Sequence, residues 1–264
     1  MSRLGQAFAR AEREKRAALV VYLCAGDPDL ATTPRLIRAA AEAGADIIEV
    51  GMPFSDPTAD GPVIQRASER ALAAGTTLHG VLGAIREARK TTDVAVLLFG
   101  YYNPILSLGE ANAAREAAEA GVDGFLVVDL PPEEAGSLAA ELRQRGLDFV
   151  PLVAPTTPDA RVEEIARVAG AFLYYVSLTG VTGAATDLHA AARRARVVRE
   201  RTGKPVAVGF GVKTADDVRA LAREVDAVVV GSAVCLEIES APSADAAVAA
   251  VSTLVASLRA ACGR

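Results

Sequence analysis

Asp46-Ile-Ile-Glu-Val50 runs directly into Gly51-Met-Pro-Phe-Ser-Asp-Pro-Thr-Ala-Asp60, and a helical pattern follows before Thr77. A short, continuous apolar run fits a strand buried on both faces, as a parallel sheet requires. The segment after it holds Pro53 and Pro57, two further acids and a glycine, so it reads as a stiff loop rather than a disordered one. Glu49 is the anomaly. An unpaired carboxylate resists leaving water, so an acid inside an apolar strand needs either a partner or a chemical task.

Working outward, the strand-then-helix unit recurs. Apolar, β-branched runs stand at 19–23, 47–50, 94–99, 124–128, 148–152, 172–176, 206–208 and 227–230. Between them lie helix-start signals. Thr33-Pro34 and Thr157-Pro158 each place an N-cap residue before a proline at the first helical position, and Thr214 with Asp217 forms a capping-box pattern. Val162, Ile165, Ala166 and Ala169 repeat at the spacing of one helix face, as do Val218, Leu221, Ala222 and Val225. Eight such strands predict a single (β/α)8 TIM-barrel domain over 1–264, without a linker. Leu4, Ala7, Phe8 and Ala11 predict an extra N-terminal helix that caps it. The competing architecture, an open doubly wound sheet, calls for a glycine-rich turn after the first strand, and Leu23-Cys-Ala-Gly-Asp-Pro28 does not supply one.

The 264 residues are 51% hydrophobic and 23% charged, with a net charge of −5 and no run of like charges. Nucleic acid and anionic membrane surfaces are therefore poor partners. Cys24, Cys235 and Cys262 are scattered, without a C-x-x-C, and read as reduced packing residues. Met1 to Arg16 lacks the apolar core of a signal peptide, and the alanine-rich tail is too short to span a bilayer. The expected location is cytoplasmic.

In a barrel, chemistry collects on the loops after the strands. Those positions hold Tyr22, Glu49, Tyr101, Asp129, Tyr174 and Ser177, with Asp60 in the second loop. Gly180-Val-Thr-Gly183, Gly209-Phe-Gly211 and Gly231-Ser232 follow the last three strands in turn. Small residues there let backbone N–H groups reach an anion, so three consecutive glycine loops point to a phosphate site. His79 and His189, the only histidines, sit at expected helix starts, which leaves His-rich metal sites without ligands. No P-loop or nucleophile elbow is present, and no lysine sits where a Schiff base would form. Carboxylate acid–base chemistry on a small phosphorylated substrate, without metal or bound cofactor, is what remains. Alternatives stay open for each acid: an internal ion pair for Glu49, a helix N-cap for Asp60 and a turn residue for Asp129. Tyr174 and Tyr175 are adjacent, so only one of them faces the barrel interior.

The stretch Ile48-Glu-Val-Gly-Met-Pro-Phe-Ser-Asp-Pro-Thr-Ala-Asp-Gly-Pro-Val-Ile-Gln65 closely resembles the signature of the tryptophan synthase alpha-subunit family. Ala25-Gly-Asp-Pro28, Gly100-Tyr-Tyr-Asn-Pro104, Val127-Val-Asp-Leu-Pro131, Tyr174-Tyr-Val-Ser177 and the glycine loops occur in the family's order, over almost the whole chain. The resemblance implies retro-aldol cleavage of indole-3-glycerol phosphate to indole and glyceraldehyde 3-phosphate. It implies Glu49 as the acid–base catalyst and Asp60 as the group that accepts the indole N–H. Tyr22, Tyr174 and Phe210 would line the pocket, with Thr182 on the loop that orders Asp60. Gly183, Gly211, Gly231 and Ser232 match phosphate-binding positions. The family further implies a beta subunit holding pyridoxal phosphate, in an alpha2beta2 heterotetramer, with Pro53, Asp56, Pro57, Asn103 and Pro104 facing it. Tyr22 stands where other members can carry phenylalanine and Leu178 where some carry arginine.

Overall fold

The computed structural model describes residues 1–176, 188–209 and 211–263. Nine parallel strands form one curled sheet: β1 (Ala18–Cys24), β2 (Ile47–Gly51), β3 (Ala95–Gly100), β4 (Gly124–Val127), β5 (Asp148–Phe149), β6 (Leu152–Val153), β7 (Leu173–Val176), β8 (Val206–Gly209) and β9 (Ala227–Val230). Their order is β5-β4-β3-β2-β1-β9-β8-β7-β6. The two edges, β5 and β6, are separated in the chain only by Val150 and Pro151. Pro151 has no N–H to give a ladder, which interrupts the strand. The interruption does not open the sheet. Val150 N–H donates to the Phe125 carbonyl on one side, and the Pro151 carbonyl accepts from Tyr174 N–H on the other. The expected fifth strand is thus present in two pieces, and it closes a (β/α)8 barrel.

Twelve helices are described: α1 (Arg3–Arg13), α2 (Thr33–Glu42), α3 (Pro62–Ala73), α4 (Leu78–Ala88), α5 (Tyr102–Leu108), α6 (Glu110–Ala120), α7 (Gly136–Gln144), α8 (Asp159–Val168), α9 (Leu188–Thr202), α10 (Ala215–Ala222), α11 (Ser232–Ser240) and α12 (Ala244–Ala260). Among the described residues no helix is long and apolar enough to cross a membrane. Alternation along the strands sorts the core in two. Val20, Tyr22, Leu97, Phe99, Leu126, Phe172 and Tyr174 fill the barrel, while Leu19, Val21, Ile48, Val96, Leu98 and Tyr175 pack beneath the helices.

The N-terminal helix plugs the end of the barrel where the strands begin. Leu4, Ala7, Phe8 and Ala11 of α1 are buried, and the Phe8 and Phe172 rings lie 5.0 Å apart. Burying a leucine such as Leu4 stabilises the fold by roughly 1.5–3 kcal/mol. At the same end, an aspartate just before one strand accepts a backbone N–H from the strand beside it. Leu19 N–H donates to Asp46 at 2.9 Å, Val96 N–H to Asp123 at 2.8 Å and Val206 N–H to Asp226 at 3.0 Å. Asp46 is further held by Arg16 and Arg10, and Asp123 by Arg89 and Arg3. Each is a lock on parallel register.

The capping expectations divide. Thr214 and Asp217 form the capping box of α10. Thr33 lies one residue inside α2, where its hydroxyl accepts the Gly26 N–H, and the Asp29 carboxylate takes the Thr32 N–H instead. Thr157 turns back to accept the Ala154 N–H, and α8 starts after Pro158. In both places the hydroxyl found a nearer backbone donor, the competition that local side-chain bonding sets up.

Candidate active site

The opposite end of the barrel gathers the sequence candidates. Glu49 pairs in register with Tyr22 on β1 and Leu97 on β3, both interior residues, so its side chain enters the barrel. It is 1% exposed, and its Oε1 has no hydrogen-bond partner. No basic side chain pairs with it among the described residues, which removes the ion-pair alternative. Burial alone pushes the Glu49 carboxyl up to about 8, so it is a neutral acid near pH 7.

Asp60 ends the loop after β2. Gly61, with extended backbone, occupies the cap position of α3, and no side chain bonds there. Asp60 is therefore not the N-cap. Its Oδ2 accepts from the Tyr101 hydroxyl at 3.1 Å, while Tyr101 Oη accepts the Ala59 N–H at 2.9 Å. Burial raises the Asp60 carboxyl to about 6, and the Tyr101 hydrogen bond holds it below where burial alone would set it. Phe54 stacks on the Tyr101 ring with centroids 4.8 Å apart. Tyr101, read in the sequence only as one strand-end residue among several, thus anchors both ends of the loop.

Tyr22 and Tyr174 complete the wall. Both are buried, and desolvation first raises their hydroxyls well above the ordinary range; Cys24, Cys235, Asp60 and Glu49 add to it at Tyr22, and Glu49 and Asp60 at Tyr174. Tyr22 stands beside Glu49 in the β1–β2 register, and Tyr174 belongs to the same interior group as Tyr22. Glycine makes the room. A Cβ at Gly51 would lie 2.3 Å from Tyr22 Oη, and one at Gly209 would lie 2.1 Å from Tyr174 Oη. Tyr174 is the inward member of its pair and Tyr175 the outward one.

The remaining candidates fall as follows. Gly231 and Ser232 form the start of α11, and Gly211 has φ +88°, where any side chain is strained. Thr182, Gly183 and Phe210 lie outside the described residues. Pro53 is buried and Asp56 is exposed, and Met52 is 5% exposed beneath Gly100. Asn103 and Pro104 are not a turn but the first turn of α5, where a missing proline N–H costs nothing. Asp129 accepts the Tyr102 N–H at 2.7 Å and so holds the start of that helix. His79 and His189 are exposed, beside Glu116 and Glu224. A cavity of about 340 Å³ lies at the far end of the barrel, by Arg3, Arg10, Asp46 and Asp93, whose charges are already paired with one another. It is remote from the carboxylates.

A closed α/β barrel with two perturbed carboxylates and two buried tyrosines at its C-terminal mouth is the layout of an acid–base enzyme. A sequence model described as "Tryptophan synthase alpha chain" matches residues 8–262. The chain is 48% identical over 264 residues to the tryptophan synthase alpha chain of Geobacter sulfurreducens, covering 100% of both, and 50% identical over 261 residues to that of Dechloromonas aromatica, covering 98% of this chain and 97% of the relative. A crystal structure of tryptophan synthase subunit alpha from Legionella pneumophila superposes with a TM-score of 0.92 at 38% identity, covering 99% of this chain and 98% of that one. The chain belongs to the tryptophan synthase alpha-chain family, and it is a lyase.

Proposed function

We propose that this chain cleaves indole-3-glycerol phosphate to indole and glyceraldehyde 3-phosphate. The observation that carries the reading is Glu49, a buried, uncharged carboxyl with an unpartnered oxygen, on the strand whose following loop ends in Asp60. Glu49 donates its proton to indole C3, and the ring becomes a cation able to accept electrons. Asp60, kept as a carboxylate with help from Tyr101, accepts the indole N–H and stabilises that cation. The Glu49 carboxylate then takes the proton of the glycerol hydroxyl next to the ring. The C–C bond breaks, its electron pair returns to the indole, and the hydroxyl carbon leaves as an aldehyde. Substrate and products balance, and Glu49 ends protonated, ready for another turn. Gly183, Gly211, Gly231 and Ser232 serve the phosphoryl group, Gly231 and Ser232 through backbone N–H groups at the start of α11. Tyr22, Tyr174, Phe210 and Thr182 enclose the indole.

The reading includes a partner. A beta subunit carrying pyridoxal phosphate receives the indole, and this chain docks on it in an alpha2beta2 heterotetramer through Asp56, Pro57, Asn103 and Pro104, while the buried Pro53 is not available for that contact. Asp56 and Asn103 are exposed, and Leu106 on α5 leaves 54% of its surface in water beside them. Binding there orders the loop that ends in Asp60, so the isolated chain is a slow lyase. A steady-state assay of indole formation with rising beta subunit is the test. The rate is expected to climb to a plateau, and Asp56→Ala should reduce that climb more than it reduces the isolated rate. A flat titration with a high rate at zero partner would sink the activation, and no indole at any ratio would sink the function.

A further inference from the structure

Two helices that the sequence reading did not connect meet beside the pocket. α3 starts two residues after Asp60, and α11 starts at Ser232. α3 packs on α11 and on β1, with Ala67 and Ala71 buried against the interior group that includes Tyr22 and Cys235. Four charges bind this junction. Glu239, in the last turn of α11, accepts from Arg66 on both oxygens at 2.8 Å, and its Oε1 accepts from Arg70 Nη1 at 2.8 Å. Arg70 in turn donates Nε and Nη2 to Asp27 at 2.9 and 2.8 Å, and Asp27, in the turn after β1, is 1% exposed. On the same helix, Gln65 donates to the Asp60 carbonyl at 2.8 Å. An isolated surface ion pair does little, but two bidentate pairs joined in a network with one member buried are the exception. Two arginines face two acids, so the set carries no net charge. Hydrogen bonding from Arg66 first, and then the charges of both arginines, hold the Glu239 carboxyl down to about 2, so it is ionised near neutral pH.

We propose that Glu239 is a positioning residue, carrying binding energy from the phosphate end of the pocket to Asp60 through Arg66, Arg70 and Gln65. The inference rests on the reading above, in which the phosphoryl group docks at Gly231 and Ser232. α11 is a short, rigid helix, so a ligand that settles at its first turn also sets its last turn. Glu239 transmits that setting to α3 through two arginines, and Gln65 passes it to the backbone of Asp60. Binding of a non-reacting group is thereby converted into orientation of a reacting one.

The experiment separates the substrate into two pieces. Indole release from indole-3-glycerol, which lacks the phosphate, is measured with the chain and its beta subunit, with and without phosphite dianion. Phosphite is expected to accelerate the wild type by at least about tenfold, since the occupied phosphate position then assembles the Asp60 side of the pocket. In Glu239→Gln the acceleration should fall below about twofold, while the rate without phosphite and the phosphite Kd stay within about twofold of wild type. Arg66→Gln, which leaves the Arg70 links to Glu239 and Asp27, should give an intermediate ratio. A merely structural role would lower the thermal midpoint and both rates together and leave the ratio unmoved; that result overturns the proposal. So does a wild type that cleaves the phosphorylated substrate yet ignores phosphite, a result that leaves the proposed reaction standing. A wild type that releases no indole from indole-3-glycerol phosphate overturns both.

Discussion

Glu49→Gln is expected to lower indole release by about 10²–10⁴-fold, the range for losing a positioned acid–base. Glutamine keeps the shape and the hydrogen-bonding capacity of the side chain but has no proton to give to indole C3. It also removes the base that the second half of the reaction needs. The loss should fall on kcat, because the proposed reaction sets Glu49 against the ring and not against the phosphoryl group. Stability distinguishes this from unfolding. The folded carboxyl, raised from 4.5 to about 8, holds a proton that the unfolded chain releases. Its contribution to stability is therefore fully present below about pH 4.5 and lost as pH rises through about 8. Glutamine carries no such penalty, so the variant should melt no lower than wild type at pH 8, checked by thermal unfolding beside the rate assay. A variant that keeps more than roughly a tenth of the wild-type rate would remove Glu49 from the role.

Asp60→Asn should cost about 10²–10³-fold, the usual loss when a preorganised charge facing a developing cation is neutralised. The amide also changes the bond to Tyr101, since an NH2 group in place of Oδ2 no longer accepts the hydroxyl proton. Both effects act on the reaction, and neither touches a helix cap, because Gly61 holds that position. Single-turnover indole release, with ligand affinity measured in parallel, is the check. If activity per folded molecule held while the thermal midpoint fell, Asp60 would be a structural residue after all.

Much of this was legible in the residues, and the parts that were not share a physical reason. All eight strands stand where apolar runs announced them, because a strand buried on both faces must be apolar along its length. Glu49 was conspicuous for the same reason: it is the acid that breaks such a run. Tyr174 could be placed only as one of two adjacent tyrosines, and the register with Leu152 and Ala207 decided between them. Asp60 was ambiguous because Asp-Gly-Pro before a helix satisfies a capping rule as well as a functional one. Gly61 at the cap position removes the capping reading, and Asp60 instead accepts from Tyr101, 41 residues away in the chain. The aspartate locks at Asp46, Asp123 and Asp226, and the Asp27–Arg70–Glu239–Arg66 network, are long-range pairings between residues that look like ordinary surface charge when read one at a time. Periodicity reports which face is buried. It does not report which charge meets which.

The most direct test of the account is the pH dependence of indole release by the wild type under saturating beta subunit. The proposed reaction begins with Glu49 protonated and Asp60 ionised, so the rate should fall as pH drops through about 6 and fall again as pH rises through about 8. The upper limb should disappear from the residual rate of Glu49→Gln. A rate that instead rises through pH about 8, as a reaction begun by a carboxylate base would, would contradict the assignment of Glu49 as the neutral acid on which the mechanism turns.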